Sequence, residues 1–150
     1  LSSSRGEPPA TEVSVATWLL HRSVPDEAKN SVNPLGADPA DITAGRDLYR
    51  EKCEICHAYE GGGKTSIGAG EYPRPPALRS AAIAATPDGE LFYHIRNGIR
   101  NTGMPAWNLP DRQIWQLVSY IRDLPQVAAM TPEATRRNEL HHGPVPRFSV

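Results

Sequence analysis

Cys53-Glu54-Ile55-Cys56-His57 is the stretch of this 150-residue chain that decides its fold. The chain contains two cysteines, and both fall inside this pentapeptide. Two thiols three residues apart at the end of a helix reach the two vinyl groups of one porphyrin edge, and the imidazole that follows then points at the iron. The C-x-x-C-H spacing therefore indicates covalent attachment of a c-type haem.

Two other chemistries use paired cysteines. A zinc site needs four ligands, and only histidines remain in this chain to complete one. A thioredoxin-like dithiol is expected beside a βαβ unit, but the sequence has no segment with the alternating pattern of a strand. Haem is the main prediction, and zinc and a dithiol stay as the alternatives.

Composition limits the other classes of protein. Hydrophobic residues make up 39 % of the chain, below the ~45–50 % of ordinary globular domains, so a bound group is expected to complete the core. The net charge of −1 gives no sign of a basic surface for nucleic acid. No run of ~18 apolar residues is present to span a bilayer.

Helical spacing of apolar residues predicts three main helices, over residues 41–53, 87–97 and 111–124. Thr86 is the predicted N-cap of the second helix. Pro125 is predicted to end the third. Residues 60–80, rich in glycine and proline, are predicted to form a long loop that packs against another group.

Proline-rich flanks divide the chain into a central domain, residues 41–125, and two extensions, residues 1–40 and 126–150. One short helix is predicted over residues 11–22, docked on the body by Trp18 and Leu19. The chain starts at a leucine instead of Met, so we expect that it was processed or shortened.

The histidines outside the C-x-x-C-H motif receive no role in haem binding. His21 is expected at the surface, and His94 at the surface or at its boundary. His141 and His142, near the C-terminus, are assigned no function.

The sixth ligand of the iron is predicted to be Met104. It lies in Gly103-Met104-Pro105-Ala106-Trp107, a segment without apolar periodicity, which is poor context for a methionine that only fills a core. Ligation by His and Met is typical of electron-transfer cytochromes c. We therefore predict His57 and Met104 as the metal ligands, with Met130 as a weaker rival.

The order of helix, C-x-x-C-H, long loop, helix, Gly-Met-Pro and helix resembles the small single-haem cytochrome c family, of class I type, over roughly residues 41–125. The resemblance implies an all-α cytochrome c fold, in which three main helices surround one covalent haem c. Gly45 and Tyr49 resemble the helix that crosses the C-terminal helix in that family, and Leu117 and Tyr120 match its partners in the crossing.

Pro76-Ala77-Leu78 resembles the Pro-x-Leu segment of the same family. The resemblance implies that the Pro76 carbonyl accepts the Nδ1 proton of His57 and that Leu78 packs on the ring. Because a second proline precedes this segment, the Pro75 carbonyl is the alternative acceptor. Such a contact would fix the tautomer of the imidazole and strengthen its donation to iron.

The remaining pocket residues fall into two sets. The apolar residues expected against the porphyrin are Leu78, Leu91, Phe92, Ile95, Ile99 and Leu117. Buried propionates need partners, and the candidates are Tyr72, Arg74, Arg79, Arg96, Arg100 and Trp107. Arg100 and Trp107, on either side of the Met104 loop, are favoured.

These residues predict a one-electron carrier rather than an enzyme. Two protein ligands leave no iron position for substrate, and an exposed haem edge would pass electrons to redox protein partners, a reductase or an oxidase of a bacterial respiratory chain. A haem subunit held in a larger complex by the two extensions is the first alternative. A gas-binding protein or haem enzyme with a displaceable Met104 is the second.

The resemblance also implies a cellular location. The segment from Asp88 to Trp107 is similar to bacterial periplasmic or membrane-tethered cytochromes. We therefore expect the protein in the periplasm, or on the outer face of the inner membrane if an N-terminal anchor precedes residue 1.

Overall fold

The computed structural model describes residues 7–130, and within them every regular element is a helix. The helices are α1 Ala10–Ser23, α2 Asp26–Lys29, α3 Pro39–Lys52, α4 Glu54–His57, α5 Ala81–Ala85, α6 Asp88–Asn97 and α7 Asp111–Met130, with a short 3₁₀ turn at Gly68–Gly70. The predicted all-α class is confirmed. The predictions for His141 and His142 and for the side chain of Met130 lie outside the described residues.

α3 and α7 cross at very short range, and Gly45 makes this possible. A Cβ at this position would overlap the carbonyl oxygen of Gln116 and lie 3.0 Å from the Cβ of Tyr120. One turn later, the rings of Tyr49 and Tyr120 meet edge to face with their centroids 5.2 Å apart. The crossing that the resemblance implies is therefore present.

One apolar core joins α3, α6 and α7. Its buried members are Tyr49, Leu91, Ile95, Ile114, Leu117, Val118, Tyr120, Ile121 and Leu124. They repeat at helical spacing, which is why the three main helices were readable from the sequence. α3 begins two residues before the predicted start because the Asp38 carboxylate accepts a hydrogen bond from the Ala40 N–H (2.7 Å), an N-cap that the apolar pattern does not show.

The prediction that Thr86 caps α6 is wrong. Its hydroxyl donates to the Ala82 carbonyl (2.9 Å) and its N–H to the Ile83 carbonyl (3.1 Å), so Thr86 closes α5 instead. α5 itself was missed, because five residues are too few to show a period. Its signal was Ser80, whose hydroxyl oxygen accepts from the Ile83 N–H at the N-terminus.

α7 does not end at Leu124. It continues through Pro125 to Met130, so the predicted stop is wrong. A proline inside a helix lacks its own N–H and crowds the carbonyl four residues earlier. The last turn nevertheless packs Val127 against the core, and Pro125 itself faces solvent.

The predicted N-terminal helix is present as α1, but it does not dock through Trp18 and Leu19. These side chains are 60 % and 53 % exposed, and α1 buries no residue. The helix instead touches the body through polar groups: the Tyr72 hydroxyl donates to the Glu12 carboxylate (2.5 Å). The spacing correctly predicted an apolar face, but that face points away from the body.

Residues that follow α1 pack closely on α6. Val24 is buried, and a Cβ at Gly89 would overlap the Ala28 carbonyl oxygen of α2. Nearby, His21 contacts the buried carboxylate of Glu90. Part of the predicted N-terminal extension therefore contributes to the same body as the central helices. None of the helices in the described range is both long and apolar enough to cross a membrane.

Gly45→Ala tests the crossing. The new methyl group has no room against the α7 backbone, so the free energy of unfolding should fall by about 1–3 kcal/mol, as in other overpacked interiors. Denaturant unfolding of the holoprotein measures it. Gly70→Ala adds the same methyl group where no atom lies within 4 Å and should leave the stability nearly unchanged; equal losses in the two variants would contradict the close crossing.

Asp41 links α3 to α7 by charge. Its carboxylate accepts hydrogen bonds from the Gln116 amide (2.7 Å) and the Arg112 guanidinium (2.8 and 3.0 Å). The Gln116 hydrogen bond, helped by that of Arg112 and opposed by burial, holds the pKa of the Asp41 carboxyl below its ordinary 3.8. A carboxyl with a lowered pKa in the folded state stabilises the fold above its unfolded pKa, and the effect is lost as the pH falls through the folded value.

Asp41→Asn should therefore be less stable than the wild type at neutral pH, and the difference should close below about pH 4, once the wild-type carboxyl is protonated. Urea unfolding at a series of pH values measures it. Asp47→Asn, on the exposed side of α3, is the matched control and should show no such convergence. A gap for Asp41→Asn that is constant with pH would rule out the carboxylate as its origin.

Candidate haem site

The C-x-x-C-H motif lies at the junction of α3 and α4. Tyr49 is hydrogen-bonded to its first residue and to the residue that follows it. The Cys53 N–H donates to the Tyr49 carbonyl (2.8 Å), which completes α3. The Tyr49 hydroxyl donates to the carbonyl of Ala58 (2.7 Å), the residue after the motif. The buried tyrosine that packs on α7 therefore also fixes the turn that presents residues 53–57.

Cys53 and Cys56 form no disulfide with each other. Cys53 packs against the core, and burial raises its pKa to about 12. Burial also raises the pKa of Cys56, and the neighbouring Glu71 carboxylate, 3.7 Å from Sγ, adds to the effect. Burial thus favours the protonated form of both side chains over the thiolate.

His57 is oriented by the backbone of a distant loop. Its Nδ1 lies 3.4 Å from the Pro76 carbonyl oxygen, so this carbonyl and not that of Pro75 makes the contact. The loop is anchored because the Leu78 N–H donates to the Gly61 carbonyl (2.7 Å). Burial lowers the pKa of the imidazole, and the Pro76 hydrogen bond opposes this. A neutral ring that donates from Nδ1 keeps the Nε2 lone pair for a metal.

Met104 lies on a tightly folded loop between α6 and α7. The Ile99 N–H donates to the Met104 carbonyl (3.1 Å), and the Met104 N–H donates to the Thr102 hydroxyl (3.1 Å). At the far end, the Trp107 N–H donates to the Ile95 carbonyl of α6 (3.1 Å). The half-buried Met104 side chain packs against the core between these anchors.

Gly98 is the hinge on which this loop folds back. Its φ of 67° and ψ of −175° are open to glycine alone. A Cβ there would lie 2.7 Å from the Ala106 nitrogen and 2.8 Å from the Met104 carbonyl oxygen. The glycine that ends α6 thus permits the close return of the chain that holds Met104 in place.

The predicted apolar residues divide into buried and half-buried sets. Leu91, Ile95 and Leu117 lie inside the helical core. Leu78, Phe92 and Ile99 are half-buried, and the first two pack against that core. Phe92 stacks on Trp115 with ring centroids 4.3 Å apart, and the Lys52 ammonium lies 5.6 Å from the Trp107 ring.

Four predicted propionate partners already have protein partners. Tyr72 meets Glu12, Arg74 meets Glu7 (3.2 Å), Arg79 meets Glu60 (3.9 Å) and Arg96 meets Asp111. Arg100 is exposed next to the Met104 loop. The structure thus brings Trp107 and Arg100 to the loop that carries Met104 and ties the other four to carboxylates.

Sequence reasoning missed two acidic groups near the motif. Glu60 is buried three residues after His57, and its Oε2 has no hydrogen-bond partner. Glu71 places its carboxylate against Cys56 and Gly103. No feature of the sequence pointed to either glutamate. Both lie in the loop of residues 60–80, which lacks the periodic apolar pattern from which contacts can be predicted.

His94 does not join these groups. Its side chain is 12 % exposed and lies 3.4 Å from the Glu90 carboxylate on the same helix, which His21 also contacts. Burial lowers the pKa of His94, and Glu90 acts in the opposite direction. The imidazole thus belongs to a polar cluster between α1 and α6, at the boundary where it was predicted.

The donors present fit a c-type haem. Two free thiols, an imidazole held at Nδ1 and a thioether on a packed loop supply the attachment and ligand chemistry of that group. Within residues 7–130 no group of three or more His, Cys, Asp or Glu side chains is arranged to hold a metal ion. This part of the chain therefore offers no ligand set for the zinc alternative.

The profile of one protein family, described as cytochrome c oxidase, cbb3-type, subunit III, matches residues 40–121. The chain belongs to this family. The match confirms the predicted c-type cytochrome, with haem and electron transport as its chemistry. It covers α3, α4, the Met104 loop and most of α7.

One relative agrees with the family, and one solved structure shares the fold. The cbb3-type cytochrome c oxidase subunit CcoP of Azospirillum brasilense is 31 % identical over 96 residues, which are 63 % of this chain and 32 % of the relative. The chain therefore spans about a third of that protein. A chain of the reducing HAO-like protein complex of Kuenenia stuttgartiensis is similar in fold, with a TM-score of 0.56 and 24 % identity over 61 % of this cytochrome and 46 % of that chain.

Gly98→Ala tests how the cytochrome holds its methionine loop. Strain of about 1–3 kcal/mol at this backbone angle, together with the clash, should speed hydrogen exchange at the Ile99 and Trp107 amides by tenfold or more. Gly36→Ala is the control, because Gly36 also has a positive φ (60°) but open space around it. If both variants left the two amides equally protected, the packing of the loop on Gly98 would be refuted.

Proposed function

We propose that this cytochrome domain is a one-electron carrier in which Cys53 and Cys56 would hold one haem c and His57 and Met104 would ligate its iron. The observation that carries the proposal is the His57–Pro76 contact at 3.4 Å. It leaves the Nε2 lone pair of the imidazole available to ligate iron, on the residue that directly follows Cys56 in the chain. When bound, haem c supplies a reversible Fe(III)/Fe(II) couple.

Each residue has a distinct task in this proposal. Pro76 keeps His57 in one tautomer and makes the imidazole a better donor. The Met104 thioether is a soft ligand, which favours the reduced state and raises the potential. Because His57 and Met104 would both ligate the iron, external molecules would be kept from it, which supports a carrier rather than an enzyme.

The scaffold suits fast electron exchange. The motif is fixed to α3 by Tyr49, and the Met104 loop is fixed to α6 by Gly98 and Ile95. Because both anchors belong to one buried core, the two ligands are held at positions that need not change with oxidation state. A site with little rearrangement between states passes electrons with a small barrier.

Partners and location extend the proposal. The CcoP relative is named as a subunit of an oxidase, which supports a haem domain that exchanges electrons with a reductase or oxidase of a respiratory chain. We place the domain in the periplasm or on the outer face of the inner membrane, where c-type attachment is completed. Contact with partners would be made through an exposed haem edge.

Membership of a larger complex is the second candidate. The exposed Trp18 and Leu19 on α1 favour it, since large apolar side chains cluster at protein interfaces. In this arrangement residues 41–125 form the electron-transfer domain, and residues 1–40 and 126–150 are its extensions. Within the first extension, α2 packs on α6 of the domain. Size-exclusion of chains with and without residues 1–23, mixed with a candidate oxidase, separates a subunit from a free carrier.

Expression with a c-type maturation system tests the main proposal. The purified chain should be red, retain its haem on a denaturing gel, and gain the mass of one haem. The oxidised protein should show the near-infrared charge-transfer band of Met–iron ligation. Rapid CO binding by the native ferrous protein would instead indicate a gas-binding protein or an enzyme.

Met104→Ala should leave the haem attached, because both thiols remain. The midpoint potential should fall by an appreciable part of the ~0.8 V that axial ligation spans, and the ferrous form should bind CO quickly. Redox titration and CO flash photolysis measure these effects. Met130→Ala, the only other methionine of the chain, is the control and should behave as the wild type; an unchanged potential in Met104→Ala would remove Met104 from the site.

A further inference from the structure

We propose that Glu71 tunes the redox potential of this domain, by placing a fixed negative charge between the second attachment cysteine and the methionine loop. The inference rests on the proposed haem site. It adds a residue that the C-x-x-C-H motif, the Pro-x-Leu segment and the Gly-Met-Pro segment do not contain.

The Glu71 carboxylate touches both halves of the site. Its Oε1 lies 3.7 Å from the Cys56 Sγ. On its other side, the carboxylate carbon and oxygens lie 2.5–2.7 Å from the position that a Cβ at Gly103 would take. Gly103 immediately precedes Met104, so the charge sits between an attachment atom and the backbone of the axial ligand.

The position of Glu71 is built from the motif itself. Glu71 closes the 3₁₀ turn of Gly68–Gly70, and its N–H donates to the Gly68 carbonyl (3.2 Å). Gly68 in turn donates to the Thr65 hydroxyl (2.9 Å), which donates to the Cys56 carbonyl (3.3 Å). The turn that carries the carboxylate is therefore hydrogen-bonded to the backbone of the cysteine that it faces.

A second anchor holds the other side of the turn. Tyr72, the next residue, donates its hydroxyl to the Glu12 carboxylate of α1 (2.5 Å). Hydrogen bonds thus hold the chain on both sides of Glu71. They keep its half-buried side chain in a defined position. Tyr72, predicted as a propionate partner, would then act indirectly, by holding Glu71.

The direction of the effect follows from charge. The oxidised iron site carries one more positive charge than the reduced site, so a nearby carboxylate stabilises the oxidised state and lowers the potential. Once Cys56 is a thioether, its S–H no longer donates to the carboxylate, while the charge remains within contact distance of the attachment atom.

Glu71→Gln keeps the shape of the side chain and removes the charge. Spectroelectrochemical titration of the holoprotein at constant pH and low salt should give a higher midpoint potential than the wild type, with the near-infrared Met–iron band retained. Glu71→Asp keeps the charge and should stay closer to the wild type than Glu71→Gln. Glu27→Gln, an equal change of charge at an exposed site on α2, should leave the potential unmoved.

Three results would overturn the inference. The first is a Glu71→Gln potential equal to that of the wild type. The second is loss of the near-infrared band in Glu71→Gln, because Glu71 would then support the methionine loop by packing. The third is an equal shift in Glu27→Gln, which would show a general effect of net charge. A wild type without the band would instead refute the proposed axial ligands, and this inference with them.

Discussion

The close crossing of α3 and α7 at Gly45 is the contact on which the rest of the structure depends. It brings Tyr49 against Tyr120 and buries it. The same tyrosine completes the last turn of α3 through its carbonyl and holds Ala58 through its hydroxyl. One residue, Tyr49, therefore links the helix crossing to the positions of the two thiols and the imidazole.

The parts of the fold that were predictable are those in which the signal is local. The C-x-x-C-H spacing specifies its own chemistry within five residues, and α3, α6 and α7 show a buried stripe at helical spacing. Met104 stood out because its neighbours made ordinary core packing a poor explanation, and Gly45 because it resembles the crossing glycine of the cytochrome c family. The C-x-x-C-H motif, the helical stripes and the Met104 segment can each be recognised within a short stretch of sequence.

The errors arose where the deciding contact lies far away in sequence. Val127 packs on the core and carries α7 past Pro125, although the local rule for proline predicts a stop. α1 has the apolar spacing of a docked helix, but its contacts with the body are made by Glu12 and His21. The Glu71 carboxylate contacts the Cys56 thiol, 15 residues earlier in the chain, and directly follows the Gly68–Gly70 turn. Nothing in the amino-acid composition indicates this contact.

The proposed ligation by His57 and Met104 would also have a structural consequence for this scaffold. His57 ends α4, while Met104 lies on the loop that leaves α6 at Gly98, 47 residues later in the chain. Within residues 7–130, α4 and α6 are joined through the α3–α7 core and not by an extensive packing of their own. Two ligands on one iron would therefore act as a cross-link between these elements, closing a loop in the way that a disulfide does. Because the folded chain holds the Met104 loop in one place, ligation and folding would stabilise each other. The modest apolar content of the chain, which first indicated an incomplete core, is consistent with a fold that relies on that link.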